Sequence, residues 1–131
     1  MTPTVKSARE IVCLVDDDSA VLRSIGRLLA SDGFVARSFD KPKDFLDHVR
    51  SNPVHVVVLD LLMGEMNGLD VQTRMSQLSP RTRVIVITGR EDPKMKDAAL
   101  RAGAVAFFSK PFDDREFLAA VRRALAMHIQ E

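Results

Sequence analysis

The sequence has few of the features that mark several large classes of protein. It holds one cysteine, Cys13, among 131 residues. One cysteine forms neither an internal disulfide nor a metal site of several thiolates, so a reducing cytoplasm is the expected location. No apolar run approaches the roughly 20 residues that span a bilayer. Residues 1–10 are polar and of mixed charge, without the apolar core of a secretion signal. We therefore expect a cytoplasmic protein that does not enter a membrane.

The sequence also lacks an excess of either charge. Nineteen Lys and Arg residues stand against eighteen Asp and Glu residues, which leaves a formal net charge of +1. Binding through nucleic-acid phosphates requires a large cationic excess, so we do not expect this domain itself to bind nucleic acid. The length suits one domain, and 46% hydrophobic with 28% charged residues is typical of a packed globular chain.

Short apolar runs alternate with longer amphipathic stretches along the chain. The runs predict five strands, at 11–15, 34–39, 54–59, 84–87 and 105–108. The stretches between and after them predict five helices, at 19–32, from Pro42, at 68–78, at 93–101 and from Asp113 or Asp114 to about Met127. Strict alternation of this kind predicts an α/β fold with a doubly wound parallel sheet.

Polar residues end four of the predicted strands. Asp16 and Asp17 follow the first strand, Asp60 the third, Thr88 the fourth and Lys110 the fifth. Because the carboxyl ends of parallel strands meet at one edge of a sheet, these side chains are expected to form one site. Crowded carboxylates repel and need compensating cations. Lys110 supplies one positive charge, and Mg²⁺, which prefers oxygen ligands, is the expected metal.

Each of these residues also has an ordinary structural explanation. An aspartate after a strand is often only a helix N-cap, which accounts well for Asp18. A threonine there is usually a turn residue, and a lysine is usually solvated. These explanations do not account for Asp16, Asp17 and Asp60 together, and the joint placement favours a shared site.

Four segments in this order resemble the receiver domain of two-component response regulators. They are IVCLVDDD at 11–18, DLLMGEMNG at 60–68, Thr88-Gly89 and Lys110-Pro111-Phe112, and the resemblance extends from about residue 10 to 127. The segments ITGRED at 87–92 and AGAVAFF at 102–108 are most similar to the FixJ branch. Receivers of that branch usually precede a DNA-binding output domain of the LuxR type.

The resemblance implies a flavodoxin-like, three-layer fold with strand order 2-1-3-4-5. It implies that Asp60 accepts a phosphoryl group from a sensor histidine kinase. Mg²⁺ would be bound by Asp17, Asp60 and the backbone carbonyl of Leu62, with Asp16 acting through water. Lys110 would pair with the phosphoryl group. Such a domain is a signalling switch, and it catalyses only its own phosphorylation and dephosphorylation.

The resemblance further implies that Thr88 turns its hydroxyl toward the phosphoryl group and that Phe107 then turns inward. Plain packing is the alternative explanation for Phe107, and the isomer of the Lys110-Pro111 bond stays open. The switched surface would control a homodimer or an output domain, and so transcription. We expect residues 1–9 to be a flexible tail, 10–128 the receiver domain and 129–131 a tail or the start of a linker. An output domain outside the chain would be the part that binds DNA.

The segment after Asp60 departs from the family. Where the family usually has Met-Pro, this chain has Met63-Gly64. Either the turn tolerates both residues, or glycine loosens the loop and speeds its conformational exchange. Leu62 and Arg90 stand at positions that flank the acyl phosphate in the family. An apolar residue and a mobile cation there predict a long phosphoryl lifetime.

Two other functions suit parts of the same pattern. A Mg²⁺-dependent phosphatase with an aspartyl nucleophile usually has a second aspartate two residues later, but Leu62 occupies that position and transfers no protons. A degenerate receiver that acts only as a binding module has usually lost an acid, the threonine or the lysine, and here all are present.

Overall fold

Five strands alternate with five helices in the computed structural model, which describes residues 10–64, 66–90 and 92–129. The elements are β1 (Ile11–Val15), α1 (Ser19–Ser31), β2 (Val35–Phe39), α2 (Pro42–Ser51), β3 (Val56–Asp60), α3 (Gly68–Leu78), β4 (Arg83–Thr88), α4 (Pro93–Arg101), β5 (Ala106–Ser109) and α5 (Asp114–Ile129). The tail expected at 1–9 lies outside the described residues, as do residues 130 and 131 of the expected C-terminal tail.

The strands form one parallel sheet in the order β2-β1-β3-β4-β5. All five residues of the central strand β3 are buried, as expected for a strand covered by helices on both faces. β2 lies at one edge of the sheet and is largely exposed. The predicted doubly wound, three-layer fold and its strand order are confirmed.

Two apolar cores lie on opposite faces of the sheet. Residues of α1 and α5 pack over one face, and residues of α2, α3 and α4 pack over the other. Successive strand residues point to opposite faces, so neighbours in sequence join different cores. Phe107 packs against the core under α2, α3 and α4, whereas Phe108 packs against the core under α1 and α5.

Aspartate side chains cap the first and the last helix at their amino ends. The Asp18 carboxylate accepts hydrogen bonds from the backbone N–H groups of Ala20 and Val21 at the start of α1. The Asp113 carboxylate accepts one from the Glu116 N–H, so Asp113 caps α5 and Asp114 is its first helical residue. After α1 the chain reverses through Gly33, whose φ of +88° favours glycine.

Four of the five predicted strands have different boundaries in the structure. β2 begins one residue later, at Val35, and β4 is longer by one residue at each end, from Arg83 to Thr88. β3 ends one residue later, at Asp60.

β3 begins at Val56 and not at residue 54. Val54 is buried, yet its carbonyl accepts a hydrogen bond from the Thr82 hydroxyl at 2.6 Å and lies outside the strand. An apolar run indicates burial and does not distinguish a buried connection from a strand. β5 is displaced by one residue from the prediction and runs from Ala106 to Ser109.

The helices of the described part of the chain are too short or too polar to cross a bilayer.

Candidate functional site

Three carboxylates meet at the carboxyl edge of the sheet. Oxygen atoms of Asp16, Asp17 and Asp60 lie within 4.8 Å of one another, and we call these residues the acidic cluster. β1 and β3 are neighbours in the sheet, which brings the residues that end them together. Asp16 and Asp60 are buried, with 1% and 4% exposure, whereas Asp17 is exposed. The predicted convergence of the aspartates is present in the structure.

Lys110 supplies a positive charge to two members of the acidic cluster. Its Nζ donates to Asp16 Oδ2 at 3.1 Å and lies 3.6 Å from Asp60 Oδ2. The backbone N–H of Lys110 donates to the Thr88 carbonyl at 2.7 Å, which fastens the end of β5 to the end of β4. The Lys110-Pro111 peptide bond, whose isomer the sequence left open, is cis.

Backbone N–H groups hold each carboxylate of the acidic cluster. Asp16 Oδ1 accepts from the Asp18 N–H at 2.9 Å, and Asp60 Oδ1 accepts from the Leu62 N–H at 3.0 Å. Asp17 Oδ2 accepts from the Gly64 N–H at 3.1 Å. Hydrogen bonds to an ionised carboxylate stabilise its charged form and fix its orientation.

The Asp60 carboxyl is in an environment that opposes its charge. Burial raises its pKa from the ordinary value of 3.8 to about 6. The hydrogen bond from the Leu62 N–H lowers the pKa, the negative charge of Asp16 raises it and Lys110 lowers it again. A cation placed among these carboxylates would therefore offset an unfavourable charge and favour the ionised, nucleophilic form.

The donor set of the acidic cluster suits a hard divalent cation. Three carboxylates face one lysine, so negative charge exceeds positive charge at this edge. In the described part of the chain, the acidic cluster is the group of three or more His, Cys, Asp or Glu residues close enough to share an ion. Asp17 is open to solvent, which leaves a path for an ion and its remaining waters.

Thr88 ends β4, and Phe107 lies on the neighbouring strand β5, opposite Val86. The Thr88 side chain is fully buried, and its Oγ1 accepts from the Arg90 N–H at 3.3 Å. Phe107 is half-buried and lines a cavity of about 410 Å³ together with Asp92, Pro93, Lys96 and Ser109. Phe107 thus has both core contacts and adjacent free space, so the structure is compatible with packing and with movement. Leu62 is 41% exposed beside Asp60.

Sequence reasoning missed the role of Gly68. A Cβ built on Gly68 would lie 2.7 Å from the Asp60 carbonyl oxygen and 2.8 Å from the Leu61 Cα. The start of α3 therefore approaches the backbone of the phosphoacceptor candidate at a distance that only glycine permits. The sequence signal that could have revealed it is a glycine at the first position of a predicted helix, at the end of the segment DLLMGEMNG that begins with Asp60.

Cys13, His48 and His55 have side chains of types that can react or bind metals, but they do not belong to the acidic cluster. Cys13 is 1% exposed and burial raises its pKa to about 11, so it packs as a small hydrophobic residue and not as a reactive thiol. His48 and His55 line a cavity of about 440 Å³ at the amino ends of the strands, opposite the acidic cluster. The His128 side chain lies outside the described residues.

Comparison with known proteins shows the family of this chain. Residues 12–122 match the family model of the response regulator receiver domain. The response regulator protein TodT of Pseudomonas putida is 38% identical over 121 residues, which are 92% of this chain and 53% of TodT. The transcriptional regulatory protein FixJ of Rhizobium meliloti is 34% identical over 113 residues, 86% of this chain and 55% of FixJ.

A solved structure extends the likeness to three dimensions. The beryllofluoride-activated NtrC4 receiver domain dimer matches with a TM-score of 0.86 and 26% identity, and the match covers 90% of this chain and 98% of that one. The chain spans about half the length of TodT and FixJ, so the likeness covers about half of each of those proteins. The fold, the acidic edge of the sheet and the family match agree, and the chain belongs to the receiver domain family of two-component response regulators.

Proposed function

We propose that Asp60 accepts a phosphoryl group from a sensor histidine kinase and that this modification switches the domain. The observation that carries the proposal is the position of Asp60: a buried carboxylate between two other carboxylates, with Lys110 Nζ 3.6 Å from its Oδ2. A fixed acceptor beside a ready counter-charge is what phosphoryl transfer requires of a protein.

The acidic cluster is the proposed site of Mg²⁺. Asp17 and Asp60 would hold the ion directly, with the backbone carbonyl of Leu62, and Asp16 would act through a water molecule. Their oxygen donors and their surplus negative charge support this assignment. When bound, Mg²⁺ would offset charge on the phosphoryl oxygens and favour an in-line approach.

In the proposed transfer, a carboxylate oxygen of Asp60 attacks the phosphorus of a phosphohistidine on the kinase. The new O–P bond forms an acyl phosphate, the N–P bond breaks, and its electron pair remains on the imidazole nitrogen. The Lys110 ammonium, already within 3.6 Å of Asp60, then pairs with a phosphoryl oxygen. The Leu62 N–H holds the other carboxylate oxygen in place.

Thr88 and Phe107 are the proposed switch. The Thr88 hydroxyl accepts from the Arg90 N–H and still has its own proton to donate to a phosphoryl oxygen. Phe107, one strand away, lines free space into which its neighbours or its own ring can rearrange. A bistable pair biased by a local charge is a known form of phosphorylation switch.

Leu62 and Arg90 are proposed to set the lifetime of the phosphoryl group. Leu62 places an exposed apolar side chain next to Asp60, where it would obstruct an attacking water molecule. Arg90 follows the buried Thr88 and would cover the phosphoryl group with its positive charge. After kinase removal we expect slow phosphate release, and turnover within seconds would refute this assignment.

The output is proposed to be transcriptional control through a homodimer or an attached output domain. FixJ is a transcriptional regulatory protein, and the activated NtrC4 receiver forms a dimer. DNA would be bound by an output domain rather than by the receiver, whose net charge is only +1. We propose that both the interaction with a histidine kinase and the control of transcription take place in the cytoplasm.

Incubation with Mg²⁺ and acetyl phosphate, followed by intact-protein mass spectrometry, tests the proposal. We expect one stable phosphoryl adduct on the native chain and none on Asp60→Asn. Continuous phosphate release without an adduct would instead indicate a phosphatase. No reaction would indicate a degenerate receiver that acts as a binding module, and an adduct on Asp60→Asn would overturn the assignment of Asp60.

A further inference from the structure

A backbone contact connects the loop after β3 to the exposed member of the acidic cluster. The Gly64 N–H donates to Asp17 Oδ2 at 3.1 Å, and the two residues are 47 positions apart in the sequence. This contact involves the position at which the sequence departs from the Met-Pro of its family. Proline has no backbone N–H and cannot make this hydrogen bond, so the contact depends on the residue type at position 64.

The direction of the Gly64 N–H is set by the core beneath it. Leu61 and Met63 are buried, with 1% and 9% exposure, and both belong to the core under α2, α3 and α4. Leu62 and Gly64, which alternate with them, face solvent. Because buried neighbours hold the loop on both sides of Leu62, the donor at residue 64 has little freedom to follow a moving acceptor.

A hydrogen-bond donor matters more for the Asp17 carboxylate than for those of Asp16 and Asp60, because these two also have Lys110 beside them. Lys110 lies against Asp16 and Asp60, at 3.1 and 3.6 Å. Asp17 is exposed, and its carboxylate lies within 4.8 Å of both of those negatively charged groups. Repulsion therefore favours rotation of the Asp17 side chain into solvent, and the hydrogen bond from Gly64 opposes that rotation.

We infer that Gly64 is a positioning residue for the metal. Its N–H holds the Asp17 carboxylate beside Asp16 and Asp60 before the ion arrives, and it stays bonded afterwards. A carboxylate has enough lone pairs for Asp17 to accept this hydrogen bond and face a cation together. Residue 64 thereby sets Mg²⁺ affinity through a backbone donor. The inference rests on the proposed function, since it takes the acidic cluster as the metal site.

A matched pair of variants separates the donor from the shape of the loop. Gly64→Ala keeps the N–H, and its Cβ would lie 3.8 Å from Asp17 Oδ2, an ordinary contact. Gly64→Pro removes the N–H. By isothermal titration calorimetry with MgCl₂, we expect the alanine variant to bind within about twofold of the native chain and the proline variant roughly fivefold more weakly. Equal affinities of the two variants, or tighter binding by proline, would overturn the inference.

A second measurement uses the native chain and does not depend on the folding of the proline variant. Solvent exchange of the Gly64 amide proton, followed by NMR, is expected to be slow without metal and faster in Asp17→Ala. It is expected to stay slow at saturating Mg²⁺. Faster exchange on metal addition would show that the N–H competes with the ion, which overturns the inference. If the native chain does not bind Mg²⁺, both the proposed function and the inference are overturned. If it binds Mg²⁺ with an affinity that does not depend on residue 64, only the inference is overturned.

Discussion

Neutralising Asp60 is expected to stabilise the metal-free protein at neutral pH. The folded state raises the pKa of this carboxyl from 3.8 to about 6, chiefly through burial. Because the folded pKa is the higher one, the folded state binds the proton more tightly than the unfolded state. The stability that this provides is complete below pH 4 and is lost as the pH rises through 6. Above that range the ionised Asp60 destabilises the fold.

The size of the effect follows from the two pKa values. The difference between 3.8 and about 6 corresponds to about 3 kcal/mol of unfolding free energy at a pH above both. An asparagine side chain carries no charge at any of these pH values, so the Asp60→Asn variant is expected to be about 3 kcal/mol more stable than the native chain at pH 7.5 in EDTA. For a domain of this size that is a rise in Tm of roughly 10 °C. Near pH 4 the two proteins are expected to be equally stable.

Urea unfolding followed by far-ultraviolet circular dichroism from pH 4 to 8 measures this, since the chain has no Trp or Tyr for fluorescence. Asp97→Asn, an exposed position on α4, is the control, and its stability is expected to stay within about 0.5 kcal/mol of the native value. Saturating Mg²⁺ is expected to stabilise the native chain and so to reduce the difference in unfolding free energy between it and Asp60→Asn. If the difference in unfolding free energy between the two proteins does not change with pH, or if Asp60→Asn is less stable than the native chain at pH 7.5, the folded state does not raise the pKa of Asp60.

Three further changes test the structure around the site. Gly68→Ala is expected to lower the unfolding free energy by about 1–3 kcal/mol, because its Cβ would lie 2.7 Å from the backbone of Asp60. Gly26→Ala is the control in the same urea assay. Its Cβ would lie 3.7 Å from the nearest atom, so it is expected to leave the stability unchanged or to raise it. Gln72 is buried, donates to the Ala99 carbonyl at 3.0 Å and has an Oε1 without a partner among the described residues. Gln72→Ala is therefore expected to lower the unfolding free energy by about 1–3 kcal/mol. Gln72→Met keeps the volume and removes the unpaired acceptor, so it is expected to lower the unfolding free energy by less than about 1 kcal/mol. Equal losses of unfolding free energy in the two variants would contradict this explanation. Lys110→Met removes the cation beside Asp60 and is expected to raise the Asp60 pKa above 6 in ¹³C-detected NMR titrations, so an unchanged or lower pKa would contradict the ion pair.

Apolar runs and the helical spacing of apolar residues predicted most of the strands and helices. The apolar run at Ile11–Val15 and the helical spacing of Leu22, Ile25 and Leu29 correspond to β1 and the buried face of α1. The predicted strand boundaries are less accurate where a residue is buried but does not pair with a neighbouring strand. Val54 is buried without belonging to β3, because a buried connection and a buried strand require the same apolar residues.

The predicted site followed from topology as much as from residue type. Asp16, Asp60, Thr88 and Lys110 end different strands, and a parallel sheet brings those ends to one edge. The expected convergence is therefore present, with Lys110 between two carboxylates. Their roles in phosphoryl transfer and the inward movement of Phe107 stay predictions.

The amino-acid sequence alone predicts the order of the elements, the residues at the strand ends and the excess of acid over base at one edge of the sheet. These properties depend on residue type and on spacing along the chain, which the sequence states directly. Three contacts are visible only in the folded molecule: α3 approaches Asp60 through Gly68, Gln72 connects α3 to α4, and the Gly64 N–H holds Asp17. Each of these depends on the distance between groups far apart in the chain. Every residue except proline carries a backbone N–H, so no residue pattern says which of them meets a carboxylate.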